Sequence, residues 1–235
     1  MRICIVGAGA MGGLYGGAMA EAGADVTLLD IRQDHVDHIN RDGLHITGLT
    51  GDRHVRLPAT TDPAAVGKAD LVFVQTDINA TRAAAESAKA VLADDGCAIT
   101  LQNGIGNVEI LAEVLGAERV LAGVSYHSAA LTGLGATRHS SHSLEAITWV
   151  GELDGRRSQR VDMVAAAITG GRLNGQVTDN IVGVLWGKLI HNCALNPICA
   201  ITGLRMGQMA RLEETDLMQT KILEEAVAVA RAKNI

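Results

Sequence analysis

The sequence predicts an α/β fold, a doubly wound parallel sheet followed by the start of an all-helical domain. Three observations predict it. Short β-branched runs alternate with helix-period segments from residue 2 to about residue 124, a glycine-rich turn follows the first run, and no strand signal occurs after about residue 177. Parallel strands must be joined by crossovers long enough to return to the same sheet end, and the helical segments have that length.

Arg2–Val6 is a short apolar run that stops at glycines, so it reads as a strand rather than the core of a signal peptide. Asp25–Leu29, Leu71–Gln75, Cys97–Leu101 and Val120–Val124 read as the further parallel strands. Helical patterns lie between them at Met11–Ala22, Gln33–Asn40, Asn79–Leu92 and Val108–Leu115. His45–Thr47 and His54–Leu57 flank Gly48-Leu49-Thr50-Gly51-Asp52 as a small inserted hairpin. Residues 125–155 are rich in Ser, Gly and His, and within them Leu144–Val150 alternates as an added antiparallel strand should. Thr178-Asp179-Asn180 offers capping side chains to a long apolar helix from Ile181 to Ile201. That stretch holds Lys188, His191, Asn192, Asn196 and Pro197, which a lipid-exposed span would carry at high cost, so no membrane association is expected. Pro197 should bend or unwind it. Gly207–Lys233 reads as one or two further helices, and the stripe carried by Leu217, Ile222, Leu223, Val227 and Ala230 needs a partner surface; a homodimer is allowed. The domains are expected at 1–177 and 178–235.

Composition narrows the function. The 235 residues are 48% apolar and 20% charged, enough for a real core, and Lys plus Arg number 20 against 26 Asp plus Glu. With a net charge of −6 and only Tyr15, Phe73, Tyr126, Trp149 and Trp186 as aromatics, a basic stacking face is absent, which argues against nucleic acid. Cys4, Cys97, Cys193 and Cys199 sit in apolar runs and form no CxxC pair. They read as reduced, buried thiols of a cytoplasmic protein, with no metal site.

Gly7-Ala8-Gly9-Ala10-Met11-Gly12 is a GxGxxG turn that directly follows a strand and opens a helix, and Asp30 lies 18 positions beyond Gly12 at the end of the next strand. Gly7 permits the tight turn, Gly9 lets backbone approach a pyrophosphate, and Gly12 lets helix and sheet pack closely. The amides at the helix start then hold the phosphate charge. Asp30 can accept from both hydroxyls of an adenosine ribose, which favours NAD(H). Arg32, two residues later, can clasp a 2′-phosphate, so NADP(H) also stays open.

Lys188, Asn192 and Asn196 are spaced i, i+4, i+8 and fan across only about 80° of a helix. Read as a surface stripe, Lys188 reaches solvent and the asparagines satisfy local backbone. Read as a substrate site, a partly buried lysine of lowered pKa donates a proton to a carbonyl oxygen while the amides fix the substrate. The turn Gln102-Asn103-Gly104-Ile105-Gly106-Asn107 follows the fourth core strand, so it belongs on the same sheet edge as Gly7–Gly12, within reach of the nicotinamide end of a dinucleotide.

The glycine turn, the Gln102–Gly106 segment and Trp186-Gly187-Lys188-Leu189-Ile190-His191-Asn192-Cys193-Ala194-Leu195-Asn196-Pro197 together resemble the ketopantoate reductase family, the 2-dehydropantoate 2-reductases. The resemblance spans nearly the whole chain in the same order. It implies a Rossmann-type domain followed by a helical substrate domain, Lys188 as general acid, Asn103 positioning carbonyl and nicotinamide, and Asn192 with Asn196 as substrate contacts. It also implies a lysine after the third core strand, where this chain has Gln75 facing the cofactor. A serine and an acidic residue are implied in helices beyond Ile235, to which no residue here corresponds, so the helical domain is expected to be incomplete. The implied activity is reduction of a short branched 2-oxo acid, 2-dehydropantoate to pantoate, in pantothenate biosynthesis. Alternatives are another 2-oxo acid, or a non-catalytic dinucleotide-binding protein.

Overall fold

The structure, a computed structural model, describes residues 1–235. The chain forms two compact units, Met1–Ile181 and Val182–Ile235.

The first unit opens with β1 (Arg2–Val6), α1 (Ala10–Glu21), β2 (Asp25–Leu29) and α2 (Gln33–Asp42). Three short strands follow, β3 (Leu44–Gly48), β4 (Arg53–Val55) and β5 (Ala59–Thr60), then α3 (Pro63–Val66) and β6 (Ala69–Val74). Next come α4 (Thr81–Val91), β7 (Leu92–Thr100), α5 (Asn107–Leu115) and β8 (Val120–Ser125). The unit finishes with β9 (Ala129–Gly133), β10 (Ala136–His139), β11 (Thr148–Gly151), α6 (Gln159–Gly170) and β12 (Gly175–Val177).

An eight-stranded sheet in the order β12-β11-β8-β7-β6-β1-β2-β5 forms its centre. Every neighbouring pair from β8 to β5 is parallel, and β11 joins antiparallel to β8, the role expected of an added strand there. Alternate residues serve opposite faces. Ile3, Ile5, Leu71, Phe73 and Ile99 pack on one side with α1 and α6, while Cys4, Val6, Val72, Val74 and Ala98 pack on the other with α4 and α5. Each large aliphatic side chain buried this way contributes roughly 1.5–3 kcal/mol against solvent exposure. Val6, Val74 and Thr100 stand side by side at the carboxyl ends of β1, β6 and β7, so the loops that follow share one sheet edge.

The expected hairpin exists as β3 and β4, but it belongs to a second sheet, β4-β3-β10-β9. Helix α1 lies between the two sheets. A Cβ on Gly16 would come within 2.7 Å of Leu28 of the main sheet, and one on Gly17 within 2.5 Å of Ile46 of the small sheet. Strands β9 and β10 carried no sequence signal because β9 is largely exposed and β10 is held by pairing with β3. Helix α6 was likewise unforeseen; Ser158 caps it by accepting from the Val161 amide. The expected helix Asn79–Leu92 ends at Val91, and β7 starts at Leu92 instead of Cys97, with a register shift between Ala69 and Leu71 in its pairing to β6.

The second unit consists of α7 (Ile181–Thr202), which begins at the unit boundary, α8 (Met206–Met209) and α9 (Glu213–Ala232). Of the bend or unwinding expected at Pro197, the unwinding does not occur: α7 stays helical to Thr202. Proline there removes one intrahelical donor, and the flanking bonds hold the helix. Although its sequence is apolar almost throughout, α7 is only partly covered: Ile181, Trp186, Ala194 and Ile198 are buried, while Ile201 is 82% exposed. Cys193 and Cys199 are accordingly only half-buried, unlike Cys4 and Cys97. On α9, Leu217 and Val229 remain exposed. No helix is long and apolar enough to cross a membrane.

Candidate active site

The loop leaving β1 has little freedom. Gly7 adopts φ +97°, and a Cβ there would lie 2.8 Å from the Gln75 carbonyl oxygen; a Cβ on Gly12 would lie 1.8 Å from the Gly7 carbonyl oxygen. Glycine is required at both positions by the protein's own backbone. Gly9 differs, because a Cβ on it would meet nothing within 4 Å. It stands at the N-cap of α1 without a side-chain cap, so the amides of the first helical turn face the open space beside it. Such an end attracts an anion.

Asp30 closes the other side of the turn. Its Oδ2 accepts the Ala8 amide at 2.7 Å and its Oδ1 accepts the Arg32 amide at 3.0 Å. Each carboxylate oxygen keeps a further lone pair for an outside donor. The Arg32 guanidinium donates to Asp34 Oδ2 at 3.1 Å. A cleft of about 390 Å³ opens here, lined by Gly7, Gly9, Asp30 and Arg32 and by Gln75, Thr76, Ala80 and Ser87 beyond them. Gln75 Nε2 is buried at its wall with no hydrogen-bond partner. An orphaned buried donor costs roughly 1–3 kcal/mol, which an acceptor on a ligand would recover.

The turn after β7 is braced by Gln102 and Asn107 of the turn itself and by Thr81, to which the sequence assigned no role. Gln102 donates from Nε2 to the Thr76 carbonyl at 2.9 Å and to Thr81 Oγ1 at 3.0 Å, and its Oε1 accepts from Thr100 Oγ1. Asn107 Nδ2 donates to the Asn103 carbonyl at 3.0 Å, while Thr81 Oγ1 lies 2.9 Å from Asn107 Oδ1. This network ties the loops after β6 and β7 together and holds the Asn103 backbone, leaving its side chain exposed on the same sheet edge as the glycine turn. A Gln, a Thr and an Asn in ordinary turn and helix-start positions carry no signal of such a role.

On α7, Lys188, Asn192 and Asn196 form one stripe, as their spacing requires of an unbroken helix. Lys188 and Asn192 are half-buried, and Asn196 is exposed. Burial lowers the Lys188 ammonium to about 8. The structure thus gathers Gly7, Ala8, Gly9, Asp30, Arg32 and Gln75 about one turn and cleft, with Ala10, Met11 and Gly12 opening the adjoining helix. It places Asn103 on the same edge, and sets the remaining candidates on one helical face in the second unit. No group of three or more His, Cys, Asp or Glu side chains is placed to hold a metal ion.

An open parallel sheet with a glycine turn at its carboxyl edge and an acid at the end of the adjoining strand defines a dinucleotide-binding protein of the Rossmann class. Residues 3–155 match the family described as Ketopantoate reductase PanE/ApbA, and residues 180–235 match its C-terminal part. The chain is 33% identical to the 2-dehydropantoate 2-reductase of Halobacterium salinarum, an alignment covering 100% of this chain and 77% of that protein. The crystal structure of a PanE/ApbA family ketopantoate reductase from Ralstonia eutropha superposes with a TM-score of 0.88 at 34% identity, over 100% of this chain and 76% of that one. The ternary structure of D-mandelate dehydrogenase with NADH and anilino(oxo)acetate shares the fold, with a TM-score of 0.91 at 23% identity over 100% and 75% of the two chains. The protein belongs to the ketopantoate reductase family.

Proposed function

We propose that this chain is an oxidoreductase that reduces 2-dehydropantoate to pantoate with a nicotinamide dinucleotide, preferring NAD(H) over NADP(H). The reading rests on the relatives and on one observation above all: the glycine turn is backbone-constrained at Gly7 and Gly12 yet open at Gly9. Space kept clear beside uncapped helix amides suits a pyrophosphate. The amides after Gly9 would hold the phosphates, Asp30 the adenosine ribose, and the orphaned Gln75 amide a further cofactor oxygen. When bound, the reduced nicotinamide supplies hydride. Arg32 is engaged by Asp34, and two carboxylates near the ribose disfavour a 2′-phosphate, which supports NAD(H).

In this reading Lys188 gives the proton. An ammonium held at about 8 is still charged at neutral pH and parts with its proton more readily than an ordinary lysine, which suits a general acid for a developing alkoxide. Asn103 orients the carbonyl, and Asn192 and Asn196 hold the substrate's hydroxyl and carboxylate. The dinucleotide-binding region is then residues 1–177, and 178–235 is the substrate-binding region.

The test is Gly9→Val, because the substitution meets no protein atom at its Cβ and the fold should survive it. NADH titrated by fluorescence should bind the parent and fail to bind the variant. Equal affinity would overturn the cofactor site. Turnover of 2-dehydropantoate against other 2-oxo acids distinguishes the proposed substrate from its analogues.

A further inference from the structure

His35 is a buried histidine that the mechanism above does not use. It lies in the first turn of α2 and is 2% exposed. Its Nε2 is 2.9 Å from the Ala8 carbonyl oxygen, and its Nδ1 accepts the Gly135 amide at 3.0 Å. Both partners impose the same tautomer. A carbonyl oxygen cannot donate and an amide N–H cannot accept, so the ring is neutral with its proton on Nε2, donated to Ala8.

The consequence concerns the next amide. In a trans peptide the C=O and N–H point in opposite directions, so fixing the Ala8 carbonyl toward His35 fixes the Gly9 N–H away from it. Ala8 is therefore held at both ends, its N–H by Asp30 and its C=O by His35. The small sheet supplies the anchorage. Gly135 sits at φ +59° in the turn between β9 and β10, its carbonyl accepts the His45 amide at 2.7 Å, and Thr137 of β10 donates to the Ala10 carbonyl at 2.9 Å. The carbonyls on both sides of Gly9 are thus gripped through one hairpin.

We infer that His35 is a positioning residue for the glycine turn: braced by the β9–β10 hairpin, it holds the Ala8–Gly9 peptide in the orientation that binds a pyrophosphate. The inference rests on the dinucleotide reading of that turn. It assigns a use to the small sheet and predicts an effect on the phosphates of the ligand, since the peptide that His35 orients carries the Gly9 amide, whereas the ribose is assigned to Asp30.

The experiment compares the parent with His35→Leu, His35→Gln and Thr137→Val. NADH affinity is measured by fluorescence, ADP and adenosine by competition, and folding by thermal melts. His35→Leu should weaken NADH and ADP about tenfold or more while leaving adenosine unchanged, in line with a lost buried hydrogen bond. His35→Gln, whose Nε2 can still donate to Ala8, should recover most of the loss. Thr137→Val, which keeps its shape, should weaken NADH and ADP a few-fold. Parent-like ADP binding in His35→Leu overturns the inference, as does equal loss of ADP and adenosine. If His35→Leu does not fold, the Gln and Val variants decide by the same ADP-to-adenosine comparison. Absence of NADH binding in the parent instead overturns the dinucleotide reading, and this inference with it.

Discussion

Asp30 and Ala8, 22 residues apart, are joined by a 2.7 Å hydrogen bond from the Ala8 amide to the Asp30 carboxylate, so the acid that ends β2 also shapes the turn that follows β1. In Asp30→Ala the Ala8 and Arg32 amides lose their acceptor together. Stability should fall by about 1–2 kcal/mol and NADH affinity by tenfold or more, because the turn loosens as the ribose contact disappears. A thermal melt and an NADH titration check both, and parent-like NADH affinity would remove Asp30 from the site.

Asp34 governs Arg32. Its carboxyl is held below the ordinary aspartate range, first by the hydrogen bond from the Arg32 side chain. Asp34→Asn replaces the ion pair by a weaker hydrogen bond, so the guanidinium turns more readily toward a 2′-phosphate, and removes one negative charge beside it. The ratio of kcat/KM with NADPH to that with NADH should rise several-fold. An unchanged ratio would show that Arg32 does not reach the 2′ position.

Lys188 should set the alkaline limb of the rate. A general acid acts only while protonated, so with the ammonium at about 8 the kcat for reduction is level near pH 6.5 to 7 and falls as pH rises through 8. Lys188→Ala should lower kcat roughly a hundredfold or more, lose that limb, and leave NADH affinity nearly intact. A variant that turns over at the parent's rate makes the polar stripe structural.

His127 and His139 should make the first unit sensitive to acid. His127 Nδ1 lies 3.1 Å from His139 Nε2, both rings are buried, and His139 Nδ1 has no partner. Desolvation, with His127 and Arg53 nearby, pushes His139 down to about 4 from 6.5. The unfolded chain therefore binds a proton at pH 6.5 that the folded chain refuses until about 4. The stability present above pH 6.5 is lost as pH falls toward 4, by about 3 kcal/mol at most. Urea unfolding at pH 7.5, 6 and 5 measures it, and His139→Gln should flatten the profile. An equally steep decline in that variant would place the acid sensitivity elsewhere.

The parts readable along the chain were those whose cause is local. The run Arg2–Val6, the glycines after it and the acid at position 30 sit at spacings that one crossover imposes, and the stripe Lys188–Asn192–Asn196 needs only an unbroken helix. Unwinding at Pro197 did not follow, because one lost donor leaves the helical bonds on either side of it in place. Strands β9 and β10 were missed for a different reason: Ala129–Gly133 and Ala136–His139 lack β-branched alternation, and β10 is held by β3, about ninety residues earlier in the chain, while β9 pairs only with β10.

The sequence by itself determined the order of the five core strands β1, β2, β6, β7 and β8 with the helices between them, the glycine turn at the sheet edge, the acid beside it and the helical stripe, because each follows from the period of the backbone and the size of a side chain. Tertiary structure alone decided what holds those pieces in a working orientation. His35 meets Ala8 across 27 residues and Gly135 across 100, and Gln102 reaches Thr76 across 26. A hydrogen bond between such residues is specified by where the folded backbone brings donor and acceptor together, and no local pattern of residue types records that distance.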